Sequence, residues 1–212
     1  MTSRPSKTSA LNYPFVRRIV GARVSSAARS VAGIAIVTIC AIATLASAQN
    51  RISEYDVKAA YLFNFGKFVR FTPTDADINR QSFDICIVGE DPLGTSLDGL
   101  TANEELDGKP VRVMRVKTAV EAHGCAIAYI GASEATRVRS DLDELRGQPV
   151  LTVSDAGTFL QNGGMIQFVI RGSHVRFAVN LDAVRNARLS LSSELLRVAI
   201  SVTGERPAEV RP

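Results

Sequence analysis

From Ser53 onward the apolar positions change period several times, and each change marks an element. Val57, Ala60, Tyr61, Phe63, Phe65, Phe68 and Val69 spread over a wide arc at helical spacing, which predicts a well-buried α-helix. Ser53 stands at the N-cap position, with Glu54 and Asp56 in the first turn, where carboxylates favour the positive end of the helix dipole. Pro73 stops the segment. The apolar run Phe83–Val88, ending at Gly89, reads as a strand buried on both faces. Asp91-Pro92 then opens a helix that runs to about Leu100, with proline in its first turn. Residues 111–116 alternate strictly, so that strand has one wet face or lies at an edge, whereas 125–130 is another continuous apolar strand. Ser133 caps a predicted helix through Leu145, with Val138, Leu142 and Leu145 on one side, and 149–153 forms a fourth strand ending at Ser154-Asp155.

Alternation of strand and helix argues for a largely parallel sheet with helices on both faces. The end of the chain breaks that rhythm. Two apolar runs, 165–170 and 174–179, flank Arg171-Gly172-Ser173, a hairpin signal, and two short helices are expected at 181–187 and 193–202. The expected class is therefore α/β, a three-layer α/β/α sandwich whose largely parallel sheet is finished by a C-terminal antiparallel hairpin. No linker or repeat divides 49–203, which suits one domain with one core, and 204–212 lacks apolar periodicity and reads as a frayed tail.

Residues 1–48 follow a different logic. Arg4, Lys7, Arg17, Arg18, Arg23 and Arg29 precede an apolar run from Val31 to Ala46, and no acidic residue occurs before Glu54. A basic leader, an apolar stretch and the small-x-small end Ala46-Ser47-Ala48 describe a secretory signal peptide, with cleavage expected after Ala48 and the folded part in the periplasm. A retained anchor is disfavoured because the run is shorter than the ~20 residues a bilayer requires. Lipid attachment at Cys40 is disfavoured by Ile39 before it, and Arg17-Arg18 is not followed by the remainder of a twin-arginine motif.

Export changes the charge argument. The whole chain carries 25 Lys+Arg against 21 Asp+Glu, but six of the cations leave with the signal, so 19 remain and the balance turns slightly negative. A nucleic-acid partner inferred from the basic whole-chain balance would rest on discarded residues. Export also alters the reading of Cys86 and Cys125, which in an oxidising compartment can be paired as a disulfide. The alternative is two small apolar residues on buried strands.

Other chemistry is sparse. His123 and His174 are the only histidines, neither has acidic or cysteine neighbours at metal-ligand spacing, and no metal or cofactor is expected. Gly89-Glu90-Asp91-Pro92-Leu93-Gly94 joins a strand to a helix where a phosphate could sit, yet it lacks the lysine of a phosphate loop and carries two carboxylates. Ser154-Asp155 lies at the carboxyl end of a strand, where α/β enzymes keep their sites, but without a positioned base it reads as a cap for the next turn. Gly163-Gly164 supplies a positive-φ turn or a bulge. Tyr61 and Phe65, four apart, read first as core residues and otherwise as a pair lining a partner groove.

The ordered set of motifs resembles the YfiR family of periplasmic regulators. It opens with Tyr55-Asp56-Val57-Lys58-Ala59-Ala60-Tyr61-Leu62-Phe63-Asn64-Phe65-Gly66-Lys67-Phe68-Val69 and continues through Ile85-Cys86-Ile87-Val88-Gly89, Asp91-Pro92-Leu93-Gly94 and Gly124-Cys125. Pro149-Val150-Leu151-Thr152-Val153-Ser154-Asp155, Gly163-Gly164-Met165-Ile166, Arg176-Phe177 with Asn180-Leu181, and Leu189-Ser190-Leu191-Ser192-Ser193-Glu194-Leu195-Leu196 complete it. The resemblance spans roughly residues 53–202 and makes 49–203 a YfiR-like domain. It implies a non-enzymatic inhibitor of a membrane-bound, YfiN-type diguanylate cyclase, held through the cyclase's periplasmic sensor domain. It further implies sequestration by a YfiB-type outer-membrane lipoprotein, a homodimer, and a redox-sensitive bond between Cys86 and Cys125, the family's second pair being absent. Closing a loop of about 39 residues would stabilise the fold by roughly 4 kcal/mol in the chain-entropy treatment. A small-ligand-binding sensor module is the alternative.

Overall fold

The structure, a computed structural model, describes residues 53–72 and 80–204. The expected signal segment, its cleavage point, Pro73 and nearly all of the expected tail lie outside the described residues.

Helix α1 (Glu54–Phe68) forms where the apolar spacing places it. Its first turn is closed by a capping box: Asp56 N–H donates to Ser53 Oγ at 3.1 Å and Ser53 N–H to Asp56 Oδ2 at 2.8 Å. The chain then runs directly into β1 (Val69–Phe71). Strands β2 (Phe83–Val88), β4 (Lys109–Val116), β5 (Ile127–Ile130), β6 (Leu151–Ser154) and β7 (Ile166–Arg171) are mutually parallel. Strand β8 (His174–Asn180) returns antiparallel to β7, so the expected hairpin is present, with Gly172 at φ +59° in its turn. With β3 (Glu105–Leu106) and β10 (Ser201–Thr203) at the edges, the eight-stranded order is β10-β8-β7-β6-β5-β2-β4-β3. A separate two-stranded antiparallel sheet pairs β1 with β9 (Leu189–Leu191).

Two apolar clusters cover the two faces of the main sheet. The larger packs α1, α2 (Gly94–Thr101), α4 (Leu181–Asn186) and α5 (Ser193–Val198) against Ile85, Ile87, Ile127, Tyr129, Val153, Ile166 and Phe168. The smaller packs a 3-10 turn (Ala119–Ala122) and α3 (Val138–Glu144) against Cys86, Val88, Ala128, Ile130 and Val150. The class is α/β, with helices on both faces of a mostly parallel sheet, as expected.

The differences from the sequence-based expectation are local. The helix expected from Ser133 to Leu145 is a 3-10 turn (Ala132–Glu134) followed by the shorter α3, because the Ser133 hydroxyl accepts from the Glu90 N–H instead of capping its own helix. The helix expected at 193–202 stops at Val198, and β10 adds to the sheet beside β8. Asp91 caps the start of α2: its Oδ1 accepts from the N–H groups of Leu93 and Gly94 at 2.8 and 3.0 Å, so the helix begins later than Pro92.

Candidate interaction site

Along α1, Lys58, Leu62 and Phe65 occupy one buried stripe, and a lysine in such a stripe must carry its charge inward. Lys58 is 3% exposed. Its ammonium reaches Asp155 Oδ2 at 2.7 Å and Glu54 Oε1 at 2.6 Å, and it sits over the Tyr55 ring, 4.6 Å from the centroid. Burial disfavours the ammonium, but the hydrogen bonds and charges of Asp155 and Glu54 outweigh it, and the pKa lies above the ordinary lysine value. Asp155 follows β6, so this pair clamps the first turns of α1 to the carboxyl end of the parallel strands. Ser154, beside it, donates to Ile130 O at 2.7 Å and accepts from Ala156 N–H at 3.0 Å, the local cap expected of this dipeptide. Tyr129 on β5 is fully buried near Asp155. Its hydroxyl and Asp155 Oδ1 have no partner in hydrogen-bond geometry, yet burial first and the Asp155 carboxylate second hold the phenol protonated, far above its ordinary pKa. A buried ammonium, the carboxylates of Asp155 and Glu54 that it bridges, and a protonated tyrosine make an electrostatic clamp.

The clamp positions an open cleft. The first two turns of α1 and the tip of the β7–β8 hairpin enclose about 390 Å³, lined by Glu54, Val57, Tyr61, Ile170, His174 and Arg176 among others. Its floor is apolar, Val57 and Tyr61 being packed against the larger core with Val175. Ile170 is 46% exposed at the rim, with Arg171, His174 and Arg176 exposed around it. The one acidic residue in this lining, Glu54, is already engaged by Lys58. The arrangement suits contact with an apolar group carrying negative charge.

The expected pair Tyr61 and Phe65 stays in contact, the rings stacked with centroids 6.0 Å apart, but only Tyr61 lines the cleft. Tyr61 is half-buried and lines the cleft. Phe65 is fully buried, stacked on Phe168 with centroids 5.9 Å apart and edge-on to Phe177 at 5.1 Å. The reading of Phe65 as a groove residue is therefore corrected: it shares a face with Tyr61 but lies deeper, against Phe168 and Phe177, and its ring is a core element. Cys86 and Cys125 form a disulfide with Cα atoms 6.1 Å apart, inside the smaller core. His123 Nε2 lies 3.1 Å from Glu144 O, and among the described residues no group of three or more His, Cys, Asp or Glu side chains could hold a metal ion. The Gly89 turn has φ +82°, and a Cβ there would meet the Glu134 carboxylate at 2.4 Å, so the site is filled by protein. Gly163 has φ +94°, the positive-φ turn expected before β7.

The sequence reasoning missed Lys58, Tyr129 and the part played by Glu54. The signal for Lys58 was its position in the apolar stripe four residues after Glu54; nothing local marked Asp155, 97 residues away, as its partner.

A family profile described as YfiR/HmsC-like (DUF4154) matches residues 55–200. Among solved structures, the chain is similar to the ABC domain of Streptococcus pneumonia in complex with L-Trp, at 14% identity and a TM-score of 0.43, over 57% of this chain and 55% of that one. It is similar also to a conserved domain protein of Vibrio cholerae O1 biovar El Tor, at 12% identity and a TM-score of 0.45, over 71% of this chain and 60% of that one. The chain thus spans little more than half the length of each.

Proposed function

The chain belongs to the YfiR/HmsC-like family, and we propose on that basis that it is a non-enzymatic periplasmic regulator restraining a membrane-bound diguanylate cyclase of the YfiN type by contact with its periplasmic sensor domain. The observation that carries the contact reading is the cleft between α1 and the hairpin tip, an apolar floor with a cationic rim held on two rigid elements. Tyr61 and Ile170 supply the apolar contacts, and Arg176 and His174 orient an acidic flank of the partner. Release of that hold raises cytoplasmic cyclic di-GMP. A YfiB-type lipoprotein competes for the free regulator, which acts as a homodimer, and the Cys86–Cys125 bond sets how much regulator stays folded under reducing conditions.

The test is co-purification of the intact cyclase with the regulator. Ile170→Glu places a carboxylate at the rim of the cleft without touching the core, and it is expected to abolish capture and raise cyclic di-GMP. Undiminished capture by a folded Ile170→Glu protein would sink the reading. The cavity volume favours a second reading, a small-ligand sensor module, which predicts a ligand-dependent rise in melting temperature with no protein partner present.

A further inference from the structure

One wall of the cleft between α1 and the hairpin is open backbone. Strand β10 pairs with β8 only from Ala178 to Asn180. The bonds of β8 fix where its other groups point. Asn180 N–H donates to Met165 O, at the head of β7, at 2.9 Å. On the β10 side, Phe177 O accepts from Ile200 N–H at 2.9 Å and Val179 O from the Thr203 hydroxyl at 3.2 Å. Backbone groups of successive strand residues point to opposite edges, so Val175 directs its N–H and C=O to the same outer edge as Phe177, beyond the end of β10. Among the described residues no strand takes them. Val175 is 7% exposed and lines the cleft, and backbone groups so placed are ordinarily paired.

The facing wall begins at the cap of α1. Ser53 has extended backbone, φ −74° and ψ 159°, and itself lines the cleft. The residue before a helix cap commonly packs on the fourth residue of the helix, and here those two are Ile52 and Val57. The companion capping box is already closed, and Val57 is only partly buried, on the cleft floor. Alternate side chains of an extended chain face opposite ways. A segment entering with Ile52 on the floor therefore carries Asn50 inward as well and turns Arg51 to solvent, away from Arg176 and His174. Other occupants fit less well. A second copy brought cleft to cleft by a two-fold axis would set Arg171, His174 and Arg176 against the same three residues. A free peptide would have to compete with a segment that begins next to a lining residue and is present at an effective concentration on the order of millimolar.

We propose that residues 50–52 are the resident occupant of this cleft, with Ile52 seated on Val57 and Tyr61 and the chain lying along the open edge at Val175. A partner that uses the cleft then meets a competitor already in place. Occupancy is read on the purified protein with no partner present, so it can fail while cyclase capture succeeds, and stand while capture fails. Nuclear Overhauser contacts are expected from the Ile52 methyls to the Val57 methyls and the Tyr61 ring. Ile52→Gly should speed hydrogen exchange at the Val175 amide at least ~10-fold, and Ile52→Leu should keep it slow. Absence of those contacts, or equal exchange at Val175 in Ile52→Gly and the native chain, would overturn the proposal. So would protection of Val175 that grows with protein concentration, which would assign the cleft to a second copy.

Discussion

At the scale of single residues, the buried charges among the described residues divide into Lys58 and Glu134, which are paired, and one that is not. Lys58 is answered by Asp155 and Glu54, and the acid on the sheet depends on it, Asp155 being 11% exposed. Lys58→Met removes the ammonium and strands that carboxylate. The expected loss is about 3 kcal/mol in urea unfolding, and Lys58→Met with Asp155→Leu should recover much of it, because replacing both partners avoids an orphaned charge. Asp141 is the unanswered one: it is buried at the start of α3, and its Oδ2 has no hydrogen-bond partner. Burial, with the Glu134 charge second and that of Glu144 adding, raises its pKa against the opposing pull of Arg137. A raised carboxyl pKa means that the native state holds its proton more tightly than the unfolded chain. Stability from this group is therefore present at low pH and declines as pH rises from the ordinary aspartate range through the raised value. Asp141→Asn should raise the melting temperature at pH 7 and leave it nearly unchanged at pH 3, as read by calorimetry; an equal shift at both would show a packing effect instead.

At the scale of elements, what was legible depended on length and locality. The six-residue apolar run of β2, the alternation of β4 and the hairpin of β7 and β8 carry their own periodicity, and each appeared where the pattern put it. Strands β1, β9 and β10 are three residues long, too short to show a period, and β1 exists only because β9, some 120 residues later, pairs with it antiparallel from Val69 to Phe71. The extent of α3 was misjudged because a serine can cap its own helix or serve a distant turn, and Ser133 does the latter. Half of the site was legible in the same sense. Tyr61 announced itself on α1, but its facing residues on the hairpin tip come together with it only through the fold. Helix docking itself turns on Gly66, where a Cβ would lie 2.6 Å from Leu106 Cδ1 and 3.1 Å from Phe83 Cε1. Gly66→Ala has a helix-propensity advantage, yet the overlap should dominate and destabilise the protein by about 1–2 kcal/mol in chemical denaturation.

At the scale of the whole molecule, the sheet separates two layers with different fasteners. The cleft and the Lys58 clamp belong with the larger core, whereas the Cys86–Cys125 bond lies in the smaller one, beneath α3 and the 3-10 turn at Ala119–Ala122. The pairing of the cysteines could be read from the family resemblance, but their placement on the opposite face from the cleft could not, since it depends on which way two strands turn their odd and even residues. Cys86→Ala and Cys125→Ala should each lower stability by about 4 kcal/mol, less any relief of strain, and hydrogen exchange should rise first in α3 and its neighbours. Equal loosening of α1 in the same experiment would show that the two layers are not separable.

The aromatic seat of α1 has one more consequence, in the order of events as the chain is made. Phe65 rests on Phe168 and Phe177, so a chain emerging with its N-terminus first presents the longest of its described helices about a hundred residues before the strands that receive it. Meanwhile both cysteines have already appeared, and the smaller layer can close on its own. Until the hairpin arrives, α1 is an adhesive, unsheltered segment, and a holdase that shields it should raise the yield of native protein more than any catalyst of cysteine oxidation.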